Sequence, residues 1–291
     1  MKHIIEFADV SKHYGGFSLQ NVTFFLPEAG TSVILGEPQS GKTAIAKLII
    51  GMERQNSGSV KVLGMDSSKY IKDIRRRVGY ISGDTNYYED KTVFWNAKFI
   101  SQFYSTWNTE DFVQIIKKFR INPRAKMSEI SEGSKLLFSV MIALSYEADI
   151  IIYDEPEGVE RSIRKMIMDS LFKYSRDKRK SVVILARTIG EYQKEIDNVI
   201  YLADGSVELY GAKDNILTSW KRIHFKNVDT AGNYINELIN VSPTSFGITG
   251  ITSNFQKIKP SISDGITEGE IKIEDFTLDT LTSIFGKENQ E

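Results

Sequence analysis

The sequence predicts an α/β fold built on a largely parallel sheet. Three observations predict it. Short runs of apolar and β-branched residues alternate with segments of helical spacing. One such run opens into a glycine-rich loop followed by a helix. A second run, about 110 residues later, ends in two adjacent carboxylates. With 291 residues, 41% of them hydrophobic and 26% charged, the chain has room for one large domain, or for one domain and a smaller appendage.

Taken in order, "HIIEFADVSKHYGG" and "FSLQNVTFFLP" alternate apolar and polar residues between turn signals. They read as two antiparallel strands joined near Gly15-Gly16. "TSVILG" is a short buried strand ending at Gly36. From Lys42, "KTAIAKLIIG" has helical spacing and stops at Gly51. "SGSVKVLG" reads as a turn and a strand. Residues from about 84 to 146 form a predominantly helical segment crowded with aromatics. Asp149–Tyr153 and Ser181–Ala186 read as two more buried strands, separated by a charged helix from about Arg161 to Arg176. "NVIYLADGSVELYG" is a hairpin with its turn at Asp204-Gly205.

These elements assign residues 1–217 to the main domain, with the helical segment as a subdomain. Residues 218–291 read as a small α+β appendage. Within it, "SPTSFGITGITSNF" and "KPSISDGITEGEIKI" are expected to be turns and short strands, followed by a terminal helix from about Ile273 to Phe285. No internal repeat or low-complexity segment is visible.

Composition narrows the function. A net charge of −1 argues for neither nucleic acid nor an anionic membrane surface as the partner. Without cysteine there is no disulfide, thiolate metal site or cysteine nucleophile. Imidazoles occur only at His3, His13 and His224, which makes a histidine-rich metal site an unsuitable reading. The opening "MKHIIEFADV" meets Glu6 and Asp9 before any long apolar run and does not read as a signal peptide. The longest apolar stretches fall well short of the roughly 20 residues that a membrane helix needs.

The chemistry sits in "LGEPQSGKT". Residues Gly36, Glu37, Pro38, Gln39, Ser40, Gly41, Lys42 and Thr43 fit G-x-x-x-x-G-K-S/T, and Ala44 follows in the helix. Gly36 and Gly41 permit backbone angles that turn N–H groups toward an anion. Lys42 is a flexible charge able to reach the β- and γ-phosphates, and Thr43 offers a hydroxyl to Mg²⁺. The helix beginning here directs its N-terminal dipole at the phosphates. The bland alternative, a glycine turn with a surface lysine, does not account for the strand–loop–helix context. In "ADIIIYDEPEG", Asp154 falls at the carboxyl end of a buried strand, where one carboxylate holds Mg²⁺ through water and the next, Glu155, polarises an attacking water.

With these motifs the chain resembles the nucleotide-binding subunit of ATP-binding cassette (ABC) transporters over about residues 4–217. The resemblance implies a P-loop NTPase fold of the ABC type, with an antiparallel β subdomain and a helical subdomain. It implies ATP and Mg²⁺ as cofactors and Glu155 as the catalytic base. Tyr14, in "SKHYGG", matches the family's adenine-stacking aromatic; otherwise it is an ordinary tyrosine at a strand end. "ISEGS", Ile130 to Ser134, matches the family signature and keeps Ser131 and Gly133, which would meet the γ-phosphate of ATP held by a second ATPase subunit. Out of that context Ser131 is simply a good helix cap.

Three positions depart from the family. Gly83 falls where a glutamine is expected, with Asp84 next to it as a substitute Mg²⁺ contact. The switch histidine position falls on Arg187, which cannot exchange protons near neutral pH. Arg187 is either a fixed charge for the γ-phosphate or a surface residue of an altered loop. The Asp-loop lacks its aspartate, and Glu160 is the nearest acid. Slow turnover in isolation is the expectation.

The chain also resembles small bacterial ATPases that power a separately encoded membrane permease and export peptides or antibiotics. "FYSTWNTEDFVQIIKKFRINPRAKMSEIS", "DGSVELYGAKDNIL" and "TSFGITGIT" carry that likeness. Within the group it resembles the ATPases of staphylococcal exporters of phenol-soluble modulins, which are amphipathic toxin peptides. The resemblance places the chain peripherally on the cytoplasmic face of the membrane, as a homodimer or beside a paralogue. Phe94, Trp95, Phe99, Phe103 and Trp107 are either core residues or the lining of a groove for helices of the permease. Two other readings stay open: a soluble ABC ATPase without transport function, and a module gated by ATP that hardly hydrolyses it.

Overall fold

Alternation of apolar and polar side chains gives the chain its first hairpin, β1 (His3–His13) and β2 (Ser18–Pro27), antiparallel as the sequence predicts. The computed structural model describes residues 2–285. The buried run β3 (Gly30–Leu35) leads through the glycine-rich loop into α1 (Lys42–Ile49). Next come β4 (Ser57–Val62), β5 (Met65–Asp66), the short α2 (Ile71–Arg75) and β6 (Val78–Ile81). An antiparallel sheet of order β2-β1-β4-β5 results. Phe7 and Phe24 stack in it with ring centroids 4.6 Å apart.

The helical segment contains α3 (Val93–Ser101), α4 (Thr109–Phe119) and α5 (Glu132–Ser145). Each begins at a side-chain cap. Thr92 accepts the N–H of Trp95, Asn108 accepts those of Glu110 and Asp111, and Ser131 accepts that of Ser134. The α5 helix is buried continuously from Leu136 to Ser145. It leads to β7 (Ile150–Asp154), α6 (Arg161–Lys178) and β8 (Ser181–Ala186). A hairpin of β9 (Asn198–Ala203) and β10 (Ser206–Ala212) follows, turning at Asp204 and Gly205, both with positive φ.

The central sheet has the order β10-β9-β3-β8-β7-β6. The β3–β8, β8–β7 and β7–β6 pairs are parallel. Parallel neighbours need crossover connections, and helices make them: α3, α4 and α5 lie between β6 and β7, and α6 lies between β7 and β8. Every residue of β8 is buried, which explains its unbroken apolar sequence. One core joins this sheet to α1 and to the antiparallel sheet, with Ile34, Ile45, Leu48, Ile152 and Leu185 inside it.

Two compact units divide the chain: Met1–Arg187 with Ile200–Leu209, and Thr188–Val199 with Tyr210–Glu291. Residues 188–199 and 210–217, read from sequence with the first domain, group with the second unit. There the Asp279 carboxylate accepts the N–H groups of Ile189 at 2.9 Å and Gly190 at 3.0 Å.

The second unit holds α7 (Lys213–Ser219), β11 (Lys221–Phe225), α8 (Val228–Gly232), β12 (Ile239–Thr244), β13 (Gly247–Thr252), α9 (Phe255–Thr267), β14 (Ile271–Asp275) and α10 (Thr280–Phe285). Its sheet runs β12-β13-β11-β14. Phe255, Ile258 and Ile262 of α9 pack with Ile223, Phe225 and Ile271.

Two expectations are corrected here. Residues 255–267, most of which lie in the two stretches expected to be turns and short strands, form a helix that carries Pro260 inside it. The terminal helix starts at Thr280 rather than near Ile273, because Ile271–Asp275 pairs with β11 as a strand. Residues 286–291 of the expected appendage lie outside the described residues.

Candidate nucleotide-binding site

The parallel pairing places the site. β3, β7 and β8 end side by side, with Leu35 opposite Ala186 and Asp154 opposite Leu185. The phosphate loop, the two carboxylates and Arg187 therefore emerge at one edge, the carboxyl end of the sheet.

The loop needs its glycines. Gly41 has φ +108°, and a Cβ there would stand 2.7 Å from Leu19 Cδ2 and 2.8 Å from Phe17 Cζ. At Gly36 a Cβ would stand 2.3 Å from the Leu202 carbonyl oxygen. Ser40 is buried, its carbonyl accepting the Gly205 N–H at 3.1 Å. Pro38 and Gln39 are exposed at the crest, and Gln39 has φ +65°. Glu37 and Ala44 are half-buried, and Thr43 is exposed.

The ammonium of Lys42 donates to the carbonyls of Gly36 at 2.6 Å and Glu37 at 2.8 Å. Burial lowers its pKa, while Asp154, Glu37 and Glu157 oppose that shift and Arg187 adds to it. So the charge of Lys42 is felt together with the loop, three acids and the residue at the switch position.

Asp154 accepts a hydrogen bond from the Tyr80 hydroxyl at 3.1 Å. Tyr80 pairs with Ile152 on the neighbouring strand, so period-two alternation brings it to the face that Asp154 shares. Desolvation raises the Asp154 pKa, with the Thr43 and Tyr80 hydroxyls and Lys42 pulling the other way and Asp84 adding to the rise. Thr43, Asp154 and the exposed Asp84 thus form a set of hard oxygen donors that fits Mg²⁺. Among the described residues no group of three or more histidines and acids is placed to hold a metal. When bound, the ion would neutralise charge on the phosphate oxygens.

Glu155 lies one residue on, and Arg164 of α6 forks onto its carboxylate, Nε to Oε1 and Nη2 to Oε2. Ser131 caps α5, and Gly133 has Ile163 within 3.1 Å of where its Cβ would be. A cavity of about 400 Å³ brings Ser131 and Gly133 together with Gly83, Pro156 and Glu160. Tyr14 is half-buried. Its hydroxyl donates to Glu53 at 2.5 Å, Lys12 lies over its ring, and burial together with Glu53 raises its pKa. Sequence reasoning missed Tyr80 and Arg164. Each acts through a strand or helix register that only the fold supplies.

The five helical-segment aromatics are not core. Phe94, Trp95 and Phe103 are exposed, at 50%, 38% and 59%. Phe99 and Trp107 are half-buried. Trp95 stacks on Phe99 with centroids 5.3 Å apart, and Phe103 and Tyr88 meet Phe99 edge-on. Among the described residues no helix is long and apolar enough to cross a membrane.

A family model described as "ABC transporter" matches residues 19–158. The sulfate/thiosulfate import ATP-binding protein CysA of Yersinia pseudotuberculosis is 26% identical over 224 residues, which are 73% of this chain and 61% of that protein. The phosphonates import ATP-binding protein PhnC of Fusobacterium nucleatum is 24% identical, covering 72% of this chain and 93% of its own. The Nod factor export ATP-binding protein I of Mesorhizobium japonicum is 23% identical, covering 78% and 74%. Among solved structures, an ATP-binding subunit of an ABC transporter superposes with a TM-score of 0.66 at 19% identity, covering 74% of this chain and 92% of that one. A dimeric ATP-binding cassette in a post-hydrolysis state, bound to ADP and Pi, superposes at 0.63 with 21% identity, covering 72% and 98%.

Proposed function

We propose that this chain, whose residues 19–158 match a family model described as "ABC transporter", carries an ABC-type ATP-binding domain that binds and hydrolyses MgATP to drive a separate membrane permease. One observation carries the reading: Lys42, Thr43, Asp154 and Glu155 converge at the carboxyl edge of one parallel sheet, beside a loop shaped for phosphate. In the reaction a water oxygen bonds to the γ-phosphorus while the bond to the bridging oxygen of ADP breaks. Glu155 takes the water proton, and Lys42 offsets charge on the phosphate oxygens.

Glu155→Gln tests this. The variant keeps the shape and loses the base, so ATP turnover falls to background while ATP binding persists and an ATP-dependent dimer accumulates. Turnover at the wild-type rate would remove Glu155 from the mechanism.

Dimerisation and permease docking belong to the same proposal. Ser131 at the exposed N-terminus of α5 is the surface that would face ATP on a second copy or a paralogue. The exposure of Phe94, Trp95 and Phe103 supports docking of an amphipathic helix from the permease. Export of amphipathic peptides rests on the sequence resemblance alone, since the relatives named above are two importers and a Nod factor exporter. Purifying the chain from membranes with its companion, and assaying peptide efflux against uptake, separates these cargo readings.

A further inference from the structure

We propose that Arg164 restrains the base: it holds the Glu155 carboxylate in a two-pronged ion pair that must open before water is activated. The proposal rests on Glu155 being the base.

Both oxygens of Glu155 are engaged, one by Nε and the other by Nη2 at 3.2 Å. A planar, charge-assisted fork on a carboxylate is among the strong side-chain pairings a protein makes. It is only slightly screened here, the two side chains being 13% and 23% exposed. Both charges also act on the phenol of fully buried Tyr153, Glu155 raising its pKa and Arg164 lowering it, beneath the larger effect of burial. A general base needs an oxygen within about 3 Å of the proton it takes, with a lone pair aimed there. A carboxylate gripped at both oxygens is not free to swing toward a water on the phosphate.

The geometry follows from the chain. The Arg164 N–H bonds to the Glu160 carbonyl at 2.9 Å, in the first turn of α6. Helical side chains lean toward the N-terminus of their helix, and here that direction leads back to the end of β7. After Glu155 only Pro156–Glu160 remain before α6 begins, with Gly158 at φ +73° among them. The same five residues wall the cavity that contains Ser131 and Gly133. Whatever fills that cavity pushes on the connector, and the connector sets the distance between Glu155 and Arg164. The base would then be released only when the signature side of the site is engaged.

The test is steady-state MgATP hydrolysis by the full chain, across ATP concentrations, for wild type, Arg164→Ala, Arg164→Lys, Glu155→Gln and the double variant Arg164→Ala with Glu155→Gln. Loss of the fork is expected to raise kcat about threefold to tenfold with KM changed less than twofold. Lysine, which cannot grip both oxygens, falls between. The double variant stays at background, because no base remains to release. A merely structural arginine would not raise kcat on removal. The proposal is overturned if Arg164→Ala binds a fluorescent ATP analogue with wild-type affinity, melts cooperatively, and turns over no faster than wild type. Should alanine fail to fold, Arg164→Gln keeps the packing without the charged fork and carries the same expectation and the same refutation. Wild-type turnover in Glu155→Gln would instead refute the base itself, a separate result.

Discussion

The guanidinium of Arg187 stands 3.1 Å from the carboxylate of Glu37, joining the residue after β8 to the phosphate loop. Arg187 is 60% exposed, so the pair contributes little to folding, about 0–1 kcal/mol. Its importance is local. It neutralises an acid that lies next to the place where a polyphosphate would bind. Arg187→Ala leaves Glu37 uncompensated, and ATP affinity is expected to fall about threefold to tenfold, with ADP affected less. Adding Glu37→Gln should restore most of the loss. Calorimetric titration with both nucleotides at low and at physiological salt checks this, since an exposed pair must weaken with ionic strength. Equal losses for ATP and ADP, unrepaired by the second substitution, would take Arg187 out of the site.

Asp154 is more costly to the fold than useful to it. Desolvation raises its pKa above the usual 3.8, so the folded state binds this proton more tightly than the unfolded state does. A raised carboxyl contributes stability only below the unfolded value, and loses it as pH rises through the folded value. At neutral pH the ionised group is therefore a net penalty. Asp154→Asn is expected to raise the melting midpoint at pH 7 by a few degrees, at about 2–4 °C per kcal/mol for a domain of this size. The gain should shrink as pH falls toward 4. The same variant should lose Mg²⁺-dependent turnover. Differential scanning fluorimetry across pH follows the first effect and an ATPase assay the second.

The aromatic patch allows binding to be separated from folding. Phe103 is 59% exposed and meets Phe99 only edge-on, so Phe103→Ser is expected to change stability by no more than about 0.5 kcal/mol. Trp95→Ser costs more, because it also removes the stack on Phe99. If the patch is the docking face, both variants should leave the membrane fraction while their ATPase activity in solution stays near wild type. Retention of both variants at wild-type levels would assign the patch no docking role.

How much of this was legible beforehand depends on the range of the interaction. The phosphate loop, β3, β7, β8 and the Asp154–Glu155 pair are local patterns whose residue types are dictated by backbone angle, burial or charge, and they read directly. The α9 helix did not. Pro260 and Gly265 mimic turn signals, and only the packing of Phe255, Ile258 and Ile262 against β11 and β14 overrides them. Nor did the exposure of Phe94, Trp95 and Phe103, because aromatics at helical spacing look alike whether the face they share meets a core or solvent. The Arg164–Glu155 fork and the Tyr80–Asp154 bond were invisible for another reason. Neither has a motif; the first depends on the pitch of α6, and the second on the register that sets Tyr80 beside Ile152.

Tyr80 yields the last prediction. Its hydroxyl donates to Asp154 from β6, outside the phosphate loop and α1, 3.1 Å from Oδ2. Burial and the charge of Asp154 raise its pKa, so it remains a neutral donor throughout the working range of pH. A donor on one oxygen fixes the rotamer and leaves the other oxygen to face Thr43 and the metal. Tyr80→Phe keeps the ring and removes only that donor. The Mg²⁺ concentration giving half-maximal ATPase activity is expected to rise about 10-fold to 100-fold, the range typical for loss of a group that orients a metal ligand. Binding of metal-free ADP should be unchanged, since nothing in the loop is altered. Metal titration of activity, set beside ADP titration in a chelator, distinguishes this from general damage to the site. If the two curves moved together, the hydroxyl would be supporting the fold and not the carboxylate.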